Sequence, residues 1–146
     1  MPKQKIELSK NALLILEQRY LLKNSKGKAI ENPEDLFRRV AKNIAQADKK
    51  YKNKNIKKTE EEFYNLMISL DYLPNSPTLF NAGKKLQQLA ACFVLPIEDD
   101  IDSIFKTLHD AALIHKTGAG TGFNFSRLRP KGDIIESAGL TSGPVS

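Results

Sequence analysis

Cysteine is all but missing from this chain: among 146 residues there is one, Cys92. A single thiol forms no internal disulfide and no multi-thiolate metal site, so dithiol chemistry here requires a partner from elsewhere. Histidine is nearly as scarce, with two. His109 and His115 have no second ligand at zinc spacing and read as structural or surface residues. No apolar run approaches the roughly twenty residues of a membrane span. The opening Met1-Pro2-Lys3-Gln4-Lys5 lacks the apolar core of a signal peptide, so a cytoplasmic location is expected. There is no internal repeat. What is present, 40% hydrophobic residues over the length of one ordinary domain, is enough to bury a moderate core.

Basic residues outnumber acidic ones, 23 to 17, for a net charge of +6. Much of the excess lies in Lys49 to Lys58 (Lys-Lys-Tyr-Lys-Asn-Lys-Asn-Ile-Lys-Lys). Such a run touches nucleic acid in some proteins. With one aromatic interleaved it reads better as a solvated linker or helix end, and no site is assigned to it.

The first half has helical spacing. Leu13, Leu16 and Tyr20, with Leu14 and Leu21 beside them, follow Ser9 as a plausible N-cap. A second helix starts at Asn32, with Pro33 at its first position and Glu34 and Asp35 in its first turn; Phe37, Val40, Ile44 and Ala47 make its apolar stripe. A third is expected to open on the capping-box pattern Thr59-Glu60-Glu61-Glu62 and run through Phe63, Leu66, Met67 and Leu70. These stripes are core faces first of all.

The punctuation changes near Pro74, which divides the chain into a helical domain, 1–73, and a second domain, 74–146. Pro74, Pro77 and Gly83 predict a loop or sharply turning extended segment over Asn75 to Gly83. Ala90 to Leu95, apolar and closed by Pro96, predicts a strand covered on both faces. Ile101 to His115 returns to helical spacing, with Ile104, Leu108, Ala111 and His115 on one face, and Gly118 ends it. A further strand is expected around Phe123 to Ser126, which completes a βαβ-type unit.

Individual residues leave alternatives open. Cys92 in an apolar strand is most simply an inert core residue, and reactivity requires a cation, redox partner or substrate nearby. Gly118-Ala119-Gly120-Thr121-Gly122 lets backbone approach a ligand, or is only a tight helix-to-strand turn. It follows a helix, whereas the dinucleotide-binding fingerprint follows a strand. Arg127, Arg129 and Lys131 alternate, so an extended backbone would present three cations on one side, suited to phosphate; a solvated edge strand explains them too. Asp99 or Asp133 could take a ribose or base donor, and Ser76 and Thr78 could bond a phosphate or cap a turn.

Taken in order, four segments resemble the large catalytic subunit of ribonucleotide reductase, and most nearly its adenosylcobalamin-dependent class. They are Asn75 to Gly83 (Asn-Ser-Pro-Thr-Leu-Phe-Asn-Ala-Gly), Leu89 to Pro96 (Leu-Ala-Ala-Cys-Phe-Val-Leu-Pro), His115 to Asp133, and Ser142-Gly143-Pro144-Val145-Ser146. The resemblance implies an α/β fold: a mostly helical N-terminal domain followed by the first β/α elements of a ten-stranded α/β barrel, incomplete here. It implies reduction of ribonucleotides to deoxyribonucleotides for DNA synthesis by thiyl-radical chemistry, with Cys92 as one of two reducing cysteines. Ser76, Ala91 and Gly120 match substrate-binding positions, Ser76 beside the phosphate and Ala91 and Gly120 along the ribose cavity. Asp99, Ser103, Arg127 and Lys131 fall in or near a specificity site for a dNTP or ATP effector. The cofactor implied is adenosylcobalamin, bound mainly by segments outside this chain. The partners implied are the remaining C-terminal part of the reductase, a ribonucleotide, the effector, a thioredoxin-like or dithiol reductant, and a second copy in a homodimer when complete, with neither membrane nor direct nucleic-acid contact.

The chain stops at Ser146 inside the last motif. By the resemblance it lacks the radical cysteine, the second reducing cysteine and the rest of the barrel, and is expected to be inactive alone; a gene split or interrupted at this point is favoured over an excised domain or a remnant. No activity-regulating ATP-cone domain is evident at its start. Two other functions compete: a non-catalytic nucleotide-binding module built on the glycine turn and the Arg127, Arg129, Lys131 cluster, and a basic protein binding nucleic acid through Lys49 to Lys58.

Overall fold

A computed structural model describes residues 6–51, 55–135 and 139–145. The chain divides into two compact units, Met1–Leu89 and Ala90–Ser146. The division lies beyond the change of punctuation at Pro74, because the segment after that proline packs into the helical unit.

In the helical unit, Ser9 caps α1 (Lys10–Ile15) by accepting from the Ala12 N–H. The helix then widens into a π turn, Leu16–Tyr20, closed by the Leu21 N–H donating to the Leu16 carbonyl at 2.9 Å. That turn takes up an extra residue. Leu21 is buried, Leu16 and Tyr20 pack on the core, and Leu13 and Leu14 face outward, against the single stripe that regular spacing predicts. A short antiparallel hairpin follows, with Lys23 bridged to Ala29. Its tip is held by the Asn24 carboxamide, which accepts from the Lys26 and Lys28 N–H groups, and by Gly27 at φ 75°.

The start of α2 (Pro33–Ala45) is as expected: Asn32 accepts from Asp35 N–H at 2.8 Å, and the Asp35 carboxylate receives the Asn32 N–H in return. Its buried face is Leu36, Phe37, Val40, Ala41 and Ala45. Ala47, expected in that stripe, is exposed because the helix tightens into a 3₁₀ turn over Gln46–Lys50. Of the lysine run, residues 52–54 lie outside the described residues. The third helix, α3 (Ile56–Ile68), starts earlier than Thr59, with Asn55 as its cap; the Thr59 hydroxyl instead donates to Asp48 at 3.1 Å. Met67 and Ile68 are buried, whereas Leu70 is exposed, since its φ of 62° carries the chain out of the helix.

Residues after Asn75 form α4 (Ser76–Asn81) rather than a loop. Asn75 caps it, and Pro77 sits in the first turn, where a missing N–H leaves no helical bond unmade. Leu79 and Ala82 join the α2 and α3 residues in one core. Each fully buried aliphatic such as Leu36 or Val40 contributes about 1.5–3 kcal/mol.

The second unit is a βαβ unit, as expected. Strand β1 (Cys92–Leu95) leads through α5 (Ile101–Lys116) to β2 (Gly120–Phe123), and the strands pair in parallel, with Cys92 opposite Gly120 and Leu95 opposite Phe123. Asp100 caps α5 by accepting from Ser103 N–H, and Gly118, at φ 84°, ends it. Several expectations are corrected. The run Gly120-Thr121-Gly122 is strand and not turn, so the second strand ends at Phe123, short of the expected Ser126, and β1 is not covered on both faces: Cys92 and Val94 are exposed. Only Thr107 and Ala111 of α5 are buried, the Thr107 hydroxyl donating to the Pro96 carbonyl, and Leu108, expected on the packed face, is exposed. Finally, β3 (Ile134–Ile135) and β4 (Gly139–Leu140) pair antiparallel. No helix among the described residues is long and apolar enough to cross a membrane.

Candidate active site

The residues singled out from sequence fall in both units, and each neighbourhood is built differently. In the helical unit Ser76 occupies the first position of α4, exposed, its Oγ 3.0 Å from the Tyr20 hydroxyl. The Tyr20 ring stacks on Phe80, centroids 4.4 Å apart. Thr78 is buried and donates to the Leu89 carbonyl, which also accepts from Asn75 Nδ2. Thr78 therefore anchors α4, while Ser76 keeps a solvent-facing hydroxyl.

The C-terminal end of α4 is held by a buried ion pair. Arg39 donates to the Ala82 and Leu79 carbonyls, and its Nε and Nη2 lie 2.8 and 3.1 Å from the two oxygens of Glu31. Glu31 also accepts from the Leu22 N–H at 2.9 Å. Sequence reading missed both Glu31 and Arg39, since nothing local in either position announces the other.

In the βαβ unit Ala91, Cys92 and Gly120 come together at the start of the parallel pair. The Gly120 N–H donates to the Ala91 carbonyl at 2.8 Å, and the thiol of Cys92 is exposed beside it. A Cβ on Gly120 would meet only the Ala91 carbonyl, at an ordinary 3.8 Å, and one on Gly122 would meet nothing within 4 Å. Neither glycine is demanded by packing within the described residues, so the bare strand face beside Cys92 is free for close approach by another group. His115, in the last turn of α5, has its Nε2 2.8 Å from the Thr121 hydroxyl.

The cations after β2 are not a free cluster. Arg127 sits in a turn, its guanidinium on Glu98, so the three basic residues do not line one side of an extended strand. The Arg129 Nε donates to Asp99 Oδ2 at 2.7 Å and its backbone N–H to Oδ1 at 3.2 Å, holding the Asp99 carboxyl below the ordinary aspartate range. Ser103 accepts from the Glu98 N–H through Oγ, which ties the start of α5 to the same acidic segment. Asp99 and Arg129 line a cavity of about 300 Å³ with Ile101, Ile104, Leu128 and Thr141. Arg127 lines a separate cleft with Val94, Pro96 and Asn124. Lys131 is exposed, its backbone packed against Gly143. Among the described residues no three His, Cys, Asp or Glu side chains group as metal ligands.

Comparison with known proteins agrees with this division. Residues 6–87 match the family model for the ribonucleotide reductase all-alpha domain, and residues 90–146 the model for its barrel domain. A vitamin B12-dependent ribonucleoside-diphosphate reductase of Thermoplasma acidophilum is 42% identical over 200 aligned positions, covering 99% of this chain and 26% of that protein. A protein of the same name from Mycobacterium tuberculosis is 46% identical over 145 residues, 99% of this chain and 21% of its own length. The ribonucleoside-diphosphate reductase large chain of Schizosaccharomyces pombe is 37% identical over 131 residues, 89% of this chain and 15% of its own. The chain thus spans about a quarter or less of the curated relatives it matches. With both of its units matched in order, the chain belongs to the ribonucleotide reductase large-subunit family.

Proposed function

We propose that this chain supplies the helical domain and the opening βαβ unit of the catalytic barrel in a ribonucleotide reductase, with Cys92 as one of its two reducing thiols. The observation that carries the reading is the exposed Cys92 at the start of β1, next to the Ala91 carbonyl and the bare face of Gly120 and Gly122. A ribose ring lying on that face would meet backbone and thiol with no side chain between. In the reaction the ribose 2′-hydroxyl leaves as water and hydrogen replaces it, while two thiols give up two electrons and two protons to form a disulfide. Cys92 is the only cysteine in this chain. The second reducing thiol, the radical-forming thiol and the external dithiol that regenerates the pair therefore come from outside it.

Ser76 is assigned to the substrate phosphate, and Asp99, Ser103, Arg127 and Lys131 to a dNTP or ATP effector site shared with a second copy. The cavity beside Asp99 and Arg129 supports an effector pocket there. The pairing of Arg127 with Glu98 and Arg129 with Asp99 weakens the alternative of a free-standing triphosphate binder, because both guanidiniums already have carboxylate partners. Adenosylcobalamin enters from the motif resemblance, and the vitamin B12-dependent relatives support a cobalamin. Nothing among the described residues marks a site for it: the two histidines lie exposed, His109 beside Asp110 and His115 with Thr121. Its binding is assigned to the rest of the enzyme.

The test is Cys92→Ser in the reductase completed with the remaining barrel. Multiple turnover is expected to vanish while nucleotide affinity stays within about twofold, the pattern of a group used in chemistry and not in binding. Retained multiple turnover with a dithiol would refute the assignment.

A further inference from the structure

We infer that Tyr20 is a positioning residue that orients the Ser76 hydroxyl as a donor toward a nucleotide phosphate; this rests on the assignment of Ser76 given above. The two hydroxyl oxygens are 3.0 Å apart and come from positions 56 residues apart in the chain. Phosphate oxygens only accept, and a serine hydroxyl carries one proton. A serine that donates to the phenol has no proton left for phosphate. The phosphate-competent arrangement therefore has the Tyr20 O–H donating into Ser76 Oγ, which frees the serine proton and polarises it toward the anion.

The surroundings hold Tyr20 in place for this task. Its ring stacks nearly parallel on Phe80, 6° from coplanar, and packs on the core, which fixes where the phenol oxygen sits beside Ser76. Tyr20 ends the π turn, Leu16–Tyr20, a kind of turn that recurs at functional sites. The same helix that bears Ser76 is gripped at its other end by Arg39 on the Ala82 and Leu79 carbonyls. A six-residue helix has little stability alone, and here both ends are tied.

The test compares wild type, Tyr20→Phe, Ser76→Ala and the double variant in the completed reductase, reading KM for the ribonucleotide against kcat. Each single change is expected to raise KM about three- to tenfold with kcat within about twofold, the size of one lost hydrogen bond. The double variant is expected to be no worse than Ser76→Ala, because Tyr20 acts only through that hydroxyl. Thermal melting of each variant accompanies the kinetics. An unchanged KM in Tyr20→Phe with a raised KM in Ser76→Ala would overturn the inference and leave the Ser76 assignment standing. An unchanged KM in Ser76→Ala would overturn both. An additive double variant, or a Tyr20→Phe chain melting far below wild type, would show that the phenol serves another contact or the fold itself, and would overturn the inference as well.

Discussion

Asp99 and Arg129 stand 30 positions apart and meet in an ion pair with a second bond from the Arg129 backbone N–H. The arginine hydrogen bonds lower the Asp99 pKa, the side-chain bond most. A depressed folded pKa contributes stability above the ordinary aspartate value of about 3.9 and loses it as pH falls through the folded value. Carboxyl NMR of Asp99 is expected to titrate below that ordinary value, and to return to it in Arg129→Ala; an unchanged midpoint in the variant would dismiss the pairing in solution. Residue identity showed the cations but not their partners. Three alternating basic residues looked like one anion-binding row, whereas the chain turns at Arg127 and gives each arginine a carboxylate from the segment before α5. The burial expected for Cys92 fails for a related reason. An apolar run predicts burial, but the strand has only β2 beside it among the described residues, and the thiol stays exposed.

At the scale of elements, the Glu31–Arg39 pair joins the hairpin, α2 and α4 in a single contact. Both side chains are nearly buried, 12% exposed for Arg39 and 5% for Glu31. Removing one partner strands the other charge away from water, so Glu31→Ala is expected to destabilise the helical unit by about 3–5 kcal/mol in urea denaturation. Replacing both with apolar residues of similar volume should cost much less, and equal losses for single and double changes would contradict the pair as the cause. The helices themselves were largely legible. Ser9 and the Asn32, Pro33, Asp35 start are local devices, complete within one turn, so the sequence carries them whole. The α4 helix was not, since Pro77 breaks a helix in its interior but suits its first turn, and only the Asn75 cap distinguishes the two cases.

For the whole molecule, the second unit leaves much apolar surface uncovered: Val94 is 80% exposed, Leu108 63% and Phe105 60%. Two-stranded parallel sheets are stable only when covered on their faces, and open strand edges pair with other chains. The chain by itself is expected to self-associate with rising concentration in sedimentation, and Val94→Lys with Phe105→Lys to reduce it. A monodisperse monomer at high concentration would contradict this.

The sequence by itself determined the Ser9 and Asn32 helix caps, most of the apolar faces in the helical half, the βαβ order and the succession of motifs that marks the family, because each is written in neighbours or in linear order. Tertiary structure alone decided that Tyr20 meets Ser76, that Glu31 holds Arg39, that Asp99 and Glu98 take the arginines, and that the glycine run is a strand beside Cys92. Those pairings join residues far apart in the chain, and no local period or propensity encodes which distant group closes a hydrogen bond.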